Sequence, residues 1–185
     1  MLEIDQPLIT ATQTWLKTII IDYSLCPFAK RELDRGSIYF SVNHETDIER
    51  CLLDLLSEFE RLNTDDSIET SLLIYAEAFK DFDDYLDFLE LAEAVLSDQD
   101  YEGIYQLASF HPDYRFEGAP KDDPANYTNR SPYPMIHVLR ETSLEKAIDS
   151  YPNPEQIPER NIALMRELGF AKVQTLLKAC YTSLR

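Results

Sequence analysis

The sequence is short of basic residues, and this shortage limits its partners. Only 17 lysines and arginines stand against 34 acidic residues, which gives a formal net charge of −17. DNA, RNA and anionic membranes are bound mainly through lysine and arginine, so an acidic surface repels them. We therefore expect neither a nucleic acid nor a membrane partner, although a local basic pocket could still hold a small anion.

Long apolar runs and paired cysteines are also missing. No apolar run approaches the roughly 18 residues of a membrane span. The three cysteines are far apart and form no CxxC pair, whereas a secreted domain would normally pair its cysteines. The first residues, Met1 to Asp5, are acidic and lack the pattern of a signal peptide. These features together predict a cytoplasmic protein.

The composition is that of a folded chain. Of its 185 residues, 44% are hydrophobic and 11% aromatic, far from the composition of disordered proteins. Chains of this length form one domain with a core of its own. We therefore predict a single α/β domain over residues 1–185, without internal repeats.

Periodicity and capping signals predict the elements of this domain. The apolar run of residues 72–74 is typical of a strand covered on both faces. Asp81 is the expected cap of the third helix, and Thr46 with Glu49, like Thr142 with Glu145, forms a capping-box pattern. The predicted helices are 8–23, one after Thr46, 82–97, one after Thr142, and a last region from residue 155 with a break at Gly169; the predicted strands are 37–42, 70–76, 103–110 and 134–140.

This order predicts the fold class. Two successive β-α-β units imply parallel strands with right-handed crossovers, and the fourth strand is expected to join antiparallel. The result is an α/β fold with a mixed four-stranded sheet in β-α-β-α-β-β order, flanked by helices, with an N-terminal helix and C-terminal helices. Thioredoxin-like folds share this core order along the chain, an analogy that says little about activity.

A long polar loop between the third and fourth strands holds the first group of candidate site residues. The stretch from Ser109 to Pro134 has no periodicity and is rich in proline, and ordered loops of this length tend to be functional. His111 could act as an acid, a base or a metal ligand, and Asp113 could orient it. Tyr114 and Arg115 would bind the substrate. The alternative is a rigid loop whose polar groups satisfy one another.

The second half of the loop adds Asn129 and Arg130 as substrate contacts. Pro132 and Pro134 stiffen this segment, and either of their peptide bonds is a candidate for the cis form. Arg130 is informative in so acidic a chain, because a guanidinium close to that of Arg115 would form an anion site. The alternative is a structural salt bridge from Arg130 to Asp122, Asp123 or Glu141.

Two further residues are weighed for chemistry. His137 lies within the fourth strand, where a core histidine is the favoured interpretation and a metal site shared with His111 is the alternative. Cys26 precedes Pro27, and a cysteine close to a helix start can be nucleophilic. Ala29 stands where a redox pair would have its second cysteine, so dithiol chemistry is disfavoured. A buried structural thiol is the favoured interpretation of Cys26.

Five segments of the sequence form a specific combination: Leu25-Cys26-Pro27-Phe28-Ala29, Tyr85-Leu86-Asp87-Phe88-Leu89, Ser109-Phe110-His111-Pro112-Asp113-Tyr114, Asn129-Arg130-Ser131-Pro132-Tyr133-Pro134-Met135 and Glu159-Arg160-Asn161. Together they resemble an uncharacterised bacterial family, the "domain of unknown function 1415" family. The resemblance spans nearly the whole chain and implies a bacterial, single-domain protein. It implies no reaction, cofactor or catalytic residue. It also implies that glutamine is common at position 115, which counts against an essential role for Arg115.

The sequence leaves three functions open. The first is an enzyme that acts on a small polar or anionic substrate at the 109–134 loop, with His111, Asp113 and Cys26 as catalytic residues. The second is a non-enzymatic binding or adaptor protein that presents the acidic helix 82–97 to a protein partner. The third is a metal-binding protein that uses His111 and His137. No motif specifies a metal or names a cofactor.

Overall fold

The computed structural model of the chain describes residues 4–182, so part of the acidic N-terminus lies outside the described residues. The predicted helices and strands occur in the predicted order, with one additional short helix, Ala29–Arg35, before the first strand. The helices are α1 (Asp5–Trp15), which continues as a π-helical turn (Leu16–Ile21), α2 (Ala29–Arg35), α3 (Ile48–Thr64), α4 (Phe82–Asp98), α5 (Glu141–Asp149), α6 (Ile157–Leu168) and α7 (Phe170–Thr182). The strands are β1 (Ile38–Asn43), β2 (Thr70–Tyr75), β3 (Tyr105–Phe110) and β4 (Met135–Arg140), and short 3₁₀ helices cover Pro124–Thr128 and Pro154–Gln156.

The four strands form one mixed sheet in the order β1-β2-β4-β3. β1 and β2 pair in parallel, and β4 pairs antiparallel with both β2 and β3. The predicted mixed sheet and its antiparallel fourth strand are therefore confirmed. The second β-α-β unit differs from expectation in one respect, because β4 lies between β2 and β3. Half of the residues of β4 are buried and apolar, namely Met135, Ile136 and Val138, and a central position covers both faces of the strand.

Helices cover both faces of the sheet, and β2 shows how the sequence arranges this. Leu73 and Tyr75 point to the side of α3 and α4, where one apolar core lies. Leu72 and Ile74 point to the opposite side, into a second core with α1, α6 and α7. All six residues of β2 are buried, as the continuous apolar run predicted. The candidate site lies on the side of α1 and α6.

The capping predictions have mixed outcomes. Asp81 is the N-cap of α4, as predicted, and its carboxylate accepts hydrogen bonds from the first turn. The cap of α3 is Asp47 rather than Thr46, because the Asp47 carboxylate accepts from the backbone N–H of Arg50. The capping box at Thr142 is wrong. β4 runs directly into α5, so the threonine lies inside the helix and no side chain caps its start.

The N-terminal helix ends in a wider turn than a regular α-helix. Its last six residues, Leu16–Ile21, are π-helical. Ser24 then takes a left-handed conformation with φ of 53°, which turns the chain toward Leu25. π-Helical turns are rare and occur often at functional sites. Within residues 4–182, no helix combines the length and apolar character needed to cross a membrane.

Candidate functional site

A cavity of about 360 Å³ lies between the sheet and the helices on the side of α1 and α6. Its wall comes from segments that are far apart in sequence, and it contains no lysine, arginine, aspartate or glutamate. The helix at the N-terminus gives Trp15, Leu16 and Ile20, the following turn gives Leu25, Cys26 and Ala29, the sheet gives Leu72, Phe110 and His137, the loop gives Phe116, Thr128 and Asn129, and α6 gives Ile157, Pro158, Asn161 and Ile162. The loop and the cysteine turn thus border the same cavity.

The first turns of α6 hold the cysteine turn in place. The amide Nδ2 of Asn161, which is buried, donates to the Leu25 carbonyl at 2.7 Å. Arg160 donates to the Ser24 carbonyl and, at 2.8 Å, to Oδ1 of Asn161. Two neighbouring carbonyls of the turn are thereby fixed by two neighbouring side chains of the helix. The Arg160-Asn161 pair therefore positions Cys26 at the cavity.

Arg130 organises the loop from inside. It is 5% exposed, and its guanidinium donates to the carbonyls of Tyr114 (3.1 Å) and Lys121 (2.9 Å) and lies over the Tyr127 ring at 4.6 Å. The salt bridge to an acidic neighbour, which was the alternative interpretation of Arg130, does not form, and Asp123 pairs with Arg166 instead. The Arg130 guanidinium therefore faces the loop, and the arginine does not line the cavity.

The other predicted substrate contacts are dispersed. Arg115 is exposed and does not line the cavity, and Tyr114 packs against the Phe82 ring at 5.4 Å. Asn129 does line the cavity, with Nδ2 donating to the Ser109 carbonyl at 3.3 Å. No peptide bond within residues 4–182 is cis, so the bonds before Pro132 and Pro134 are trans. Of the predicted substrate-binding residues, the structure brings only Asn129 to the cavity.

His111 is fully buried and uses both of its ring nitrogens internally. Nδ1 accepts from the backbone N–H of Asp113 at 3.0 Å, so Nε2 carries the proton and donates to the Phe79 carbonyl at 2.9 Å. Asp113 thus orients the ring through its backbone, while its exposed carboxylate lies 3.7 Å from Lys121. Desolvation lowers the pKa of His111. In this geometry the imidazole therefore has a structural role. The catalytic role of His111 and Asp113 stays a prediction.

The two histidines considered for metal binding lie on opposite faces of the sheet. The His111 ring packs against Phe82 and Tyr85 of α4, at centroid distances of 5.1 and 5.2 Å. His137 lies on the other face, where it lines the cavity. Across residues 4–182, no group of three histidine, cysteine, aspartate or glutamate side chains is arranged to hold a metal ion. The pair therefore cannot share one metal in this fold.

His137 and Cys26 are the ionisable residues of the cavity wall. Nε2 of His137 lies 2.6 Å from the Thr70 hydroxyl, and desolvation lowers the pKa of the imidazole to about 4. Desolvation raises the pKa of the Cys26 thiol, an effect that backbone N–H groups of Phe28 and Ala29 partly offset. Both groups are therefore neutral near pH 7. The thiol is not activated as a nucleophile, and the role of Cys26 in catalysis stays a prediction.

The chain was compared with known protein families, curated proteins and solved structures. A family model described as a protein of unknown function, DUF1415, covers residues 7–175. The chain belongs to the DUF1415 family. No curated protein and no solved structure matched the chain.

Four of the five segments that carry the DUF1415 resemblance contribute to the cavity wall, whereas Tyr85-Leu86-Asp87-Phe88-Leu89 lies in α4 on the opposite face of the sheet. Cys26 and Asn129 line the cavity, Arg160 and Asn161 clamp the cysteine turn, and Arg130 holds the loop. Sequence reasoning placed its catalytic centre at His111 and missed the cavity role of α6. The Arg160-Asn161 pair was the available signal, because polar residues next to one another in an amphipathic helix can serve a distant turn.

Stability should depend on pH through His137. The folded protein holds this imidazole at a pKa of about 4 against an ordinary 6.5, so the unfolded chain binds more protons between these values. The contribution is fully present above pH 6.5 and is lost as the pH falls toward 4. Compared with a His137→Leu variant, the wild type should lose about 2–3 kcal/mol more unfolding free energy across this range, measured by urea denaturation at several pH values.

The comparison isolates His137 because the other titrating groups, including His111, are present in both proteins. Parallel pH profiles of wild type and variant would show that the cavity histidine titrates normally.

Cys26 should be the cysteine that reacts in the native protein. It is half-buried at the cavity, whereas Cys51 and Cys180 are fully buried. Because its pKa is raised, maleimide labelling should be slower than in the urea-unfolded protein and should accelerate as the pH rises. Mass spectrometry should find one label on the native chain and none on a Cys26→Ala variant. Native labelling at Cys51 or Cys180 would contradict the described packing.

Proposed function

We propose that this protein binds a small, uncharged molecule with an apolar body in the cavity between the cysteine turn, the loop and α6. The observation that carries the proposal is a cavity of about 360 Å³ with no charged side chain in its wall. Voids in well-packed protein interiors rarely exceed the size of a few waters, whereas ligand pockets begin near 300 Å³. A space of this size therefore supports a binding site over a packing defect.

The character of the wall favours an uncharged ligand over an anionic one. Burying a charge without a partner costs several kcal/mol, and neither Arg115 nor Arg130 lines the cavity. Its ionisable groups, Cys26 and His137, are neutral near pH 7. The small polar or anionic ligand expected from the sequence thus gives way to a mainly apolar one, held by aliphatic and aromatic contacts with a few polar groups.

Trp15 provides the test, because it is the single tryptophan of the chain and lines the cavity. Its emission is recorded during titration with cyclooctanol and, separately, with cyclooctanecarboxylate at pH 7. Cyclooctanol should cause a saturable change that the carboxylate does not cause at the same concentrations. No saturable change with the alcohol, or an equal one with the anion, would overturn the proposal.

A matched pair of variants ties the signal to the cavity. Ala29→Phe adds a ring at the cavity wall and should weaken cyclooctanol binding at least about tenfold, since it occupies the ligand's space. Ala163→Phe makes the same change at an exposed position of α6 and should leave binding unchanged. Equal binding by both variants would place the ligand elsewhere.

A further inference from the structure

We infer that His137 makes the cavity selective for ligands that donate a hydrogen bond, such as alcohols, phenols and N–H compounds. The inference rests on the proposed binding function and adds the chemical class of the ligand's polar group. It follows from three polar atoms, because only one assignment of donor and acceptor roles satisfies all of their contacts. These are the Val138 carbonyl oxygen, the Thr70 hydroxyl and Nε2 of His137.

The Thr70 hydroxyl fixes which ring nitrogen of His137 carries the proton. Thr70 Oγ1 lies 2.6 Å from the Val138 carbonyl oxygen, which can only accept, so the one hydroxyl proton is used there. The same oxygen lies 2.6 Å from Nε2 of His137 and must accept in that contact. Nε2 therefore carries the imidazole proton, and Nδ1 holds a free lone pair.

That lone pair has no donor in the protein. Among the hydrogen bonds of residues 4–182, none reaches Nδ1 of His137. The atom is also absent from the fully buried side-chain atoms that lack a partner, so it is not closed off inside the protein. Its surroundings are apolar, with Leu72 opposite on β2 and the Phe110 ring 6.4 Å away. An acceptor without a partner in an apolar wall is what a ligand O–H or N–H group satisfies.

Both supporting strands make the acceptor rigid. Thr70 belongs to β2 and His137 to β4, which pair directly in the sheet. The imidazole is thus held from the far side by the threonine, which does not line the cavity. Such a preorganised acceptor distinguishes a ligand that has the donor from an analogue that lacks it.

The test compares cyclooctanol with methoxycyclooctane, which has the same apolar body and an oxygen that cannot donate. In the wild type, the alcohol should bind about tenfold more tightly than the ether, as one hydrogen bond implies, measured by Trp15 fluorescence or calorimetry. Equal affinities would overturn the inference and leave the proposed function intact. Binding of neither compound would overturn the proposed function itself.

Three variants assign the selectivity to the named atoms. His137→Leu removes the acceptor. Thr70→Val allows the imidazole proton to occupy either ring nitrogen. Both changes should bring the ratio of the alcohol and ether affinities close to one. Thr70→Ser keeps the hydroxyl and should preserve the ratio. Loss of selectivity in Thr70→Ser, or its survival in His137→Leu, would contradict the assignment.

A direct readout of the tautomer avoids ligands altogether. Long-range ¹H–¹⁵N correlation spectra at pH 7 should show His137 protonated at Nε2 and unprotonated at Nδ1, with assignment from the signal lost in His137→Leu. A proton on Nδ1 would overturn the inference even if every variant folds poorly.

Discussion

Replacing His111 by alanine should destabilise the protein by about 3–5 kcal/mol and lower its melting temperature by about 10 °C. The imidazole is fully buried between Phe82 and Tyr85, so its removal leaves a cavity in the core. It also leaves the Phe79 carbonyl and the Asp113 N–H without their partner. Each such loss costs about 1–3 kcal/mol when the group is buried.

The measurement is urea and thermal denaturation followed by circular dichroism, with His44→Ala as the control. His44 is exposed and pairs at 2.8 Å with the mostly buried Asp5, so its removal should cost about 1–2 kcal/mol, less than that of the fully buried His111. The two variants remove the same side chain from a buried and an exposed position. A His111→Ala protein as stable as the control would return His111 to the list of candidate catalytic groups.

His111 also shows which feature of the site could not be predicted from the sequence. The strand before it was predicted, and side chains alternate between the faces of a strand. Phe110, the last residue of β3, packs against Trp15 on the cavity side at 5.2 Å, so the next side chain points to the other face. The sequence does not specify which face carries the cavity. The sequence therefore could not show whether His111 or His137 lines the cavity.

The sheet itself was predictable because its signals are local. The apolar run of β2, the Asp81 cap and the break at Gly169 each depend on a few neighbouring residues, and each is confirmed. The cavity depends on contacts across the chain instead. Asn161 reaches the Leu25 carbonyl across 136 positions, and no periodicity reports such a pairing. The sequence was enough to name candidate residues. It was not enough to predict which of them lie together at the cavity.

Replacing Arg130 by methionine should cost about 3 kcal/mol and should loosen the cavity wall, in contrast to the same change at Arg115. Methionine keeps the apolar bulk of the side chain but donates no hydrogen bond, so the Tyr114 and Lys121 carbonyls lose their donor. The cost follows from about 1–3 kcal/mol for each hydrogen bond to a charged group. Arg115→Met alters an exposed side chain and should stay within about 0.5 kcal/mol.

Trp15 reports whether the loss spreads from the loop to the cavity. Its indole N–H donates to the Arg130 backbone carbonyl at 2.9 Å, so the position of the loop sets the environment of the indole. Arg130→Met should therefore shift Trp15 emission toward longer wavelength and weaken cyclooctanol binding, because water gains access to a wall that the guanidinium no longer braces. Arg130→Lys should behave in the same way, since an ammonium cannot direct two donors to two separate carbonyls as the planar guanidinium does. Wild-type emission and binding in both variants would mean that the loop holds its shape without Arg130.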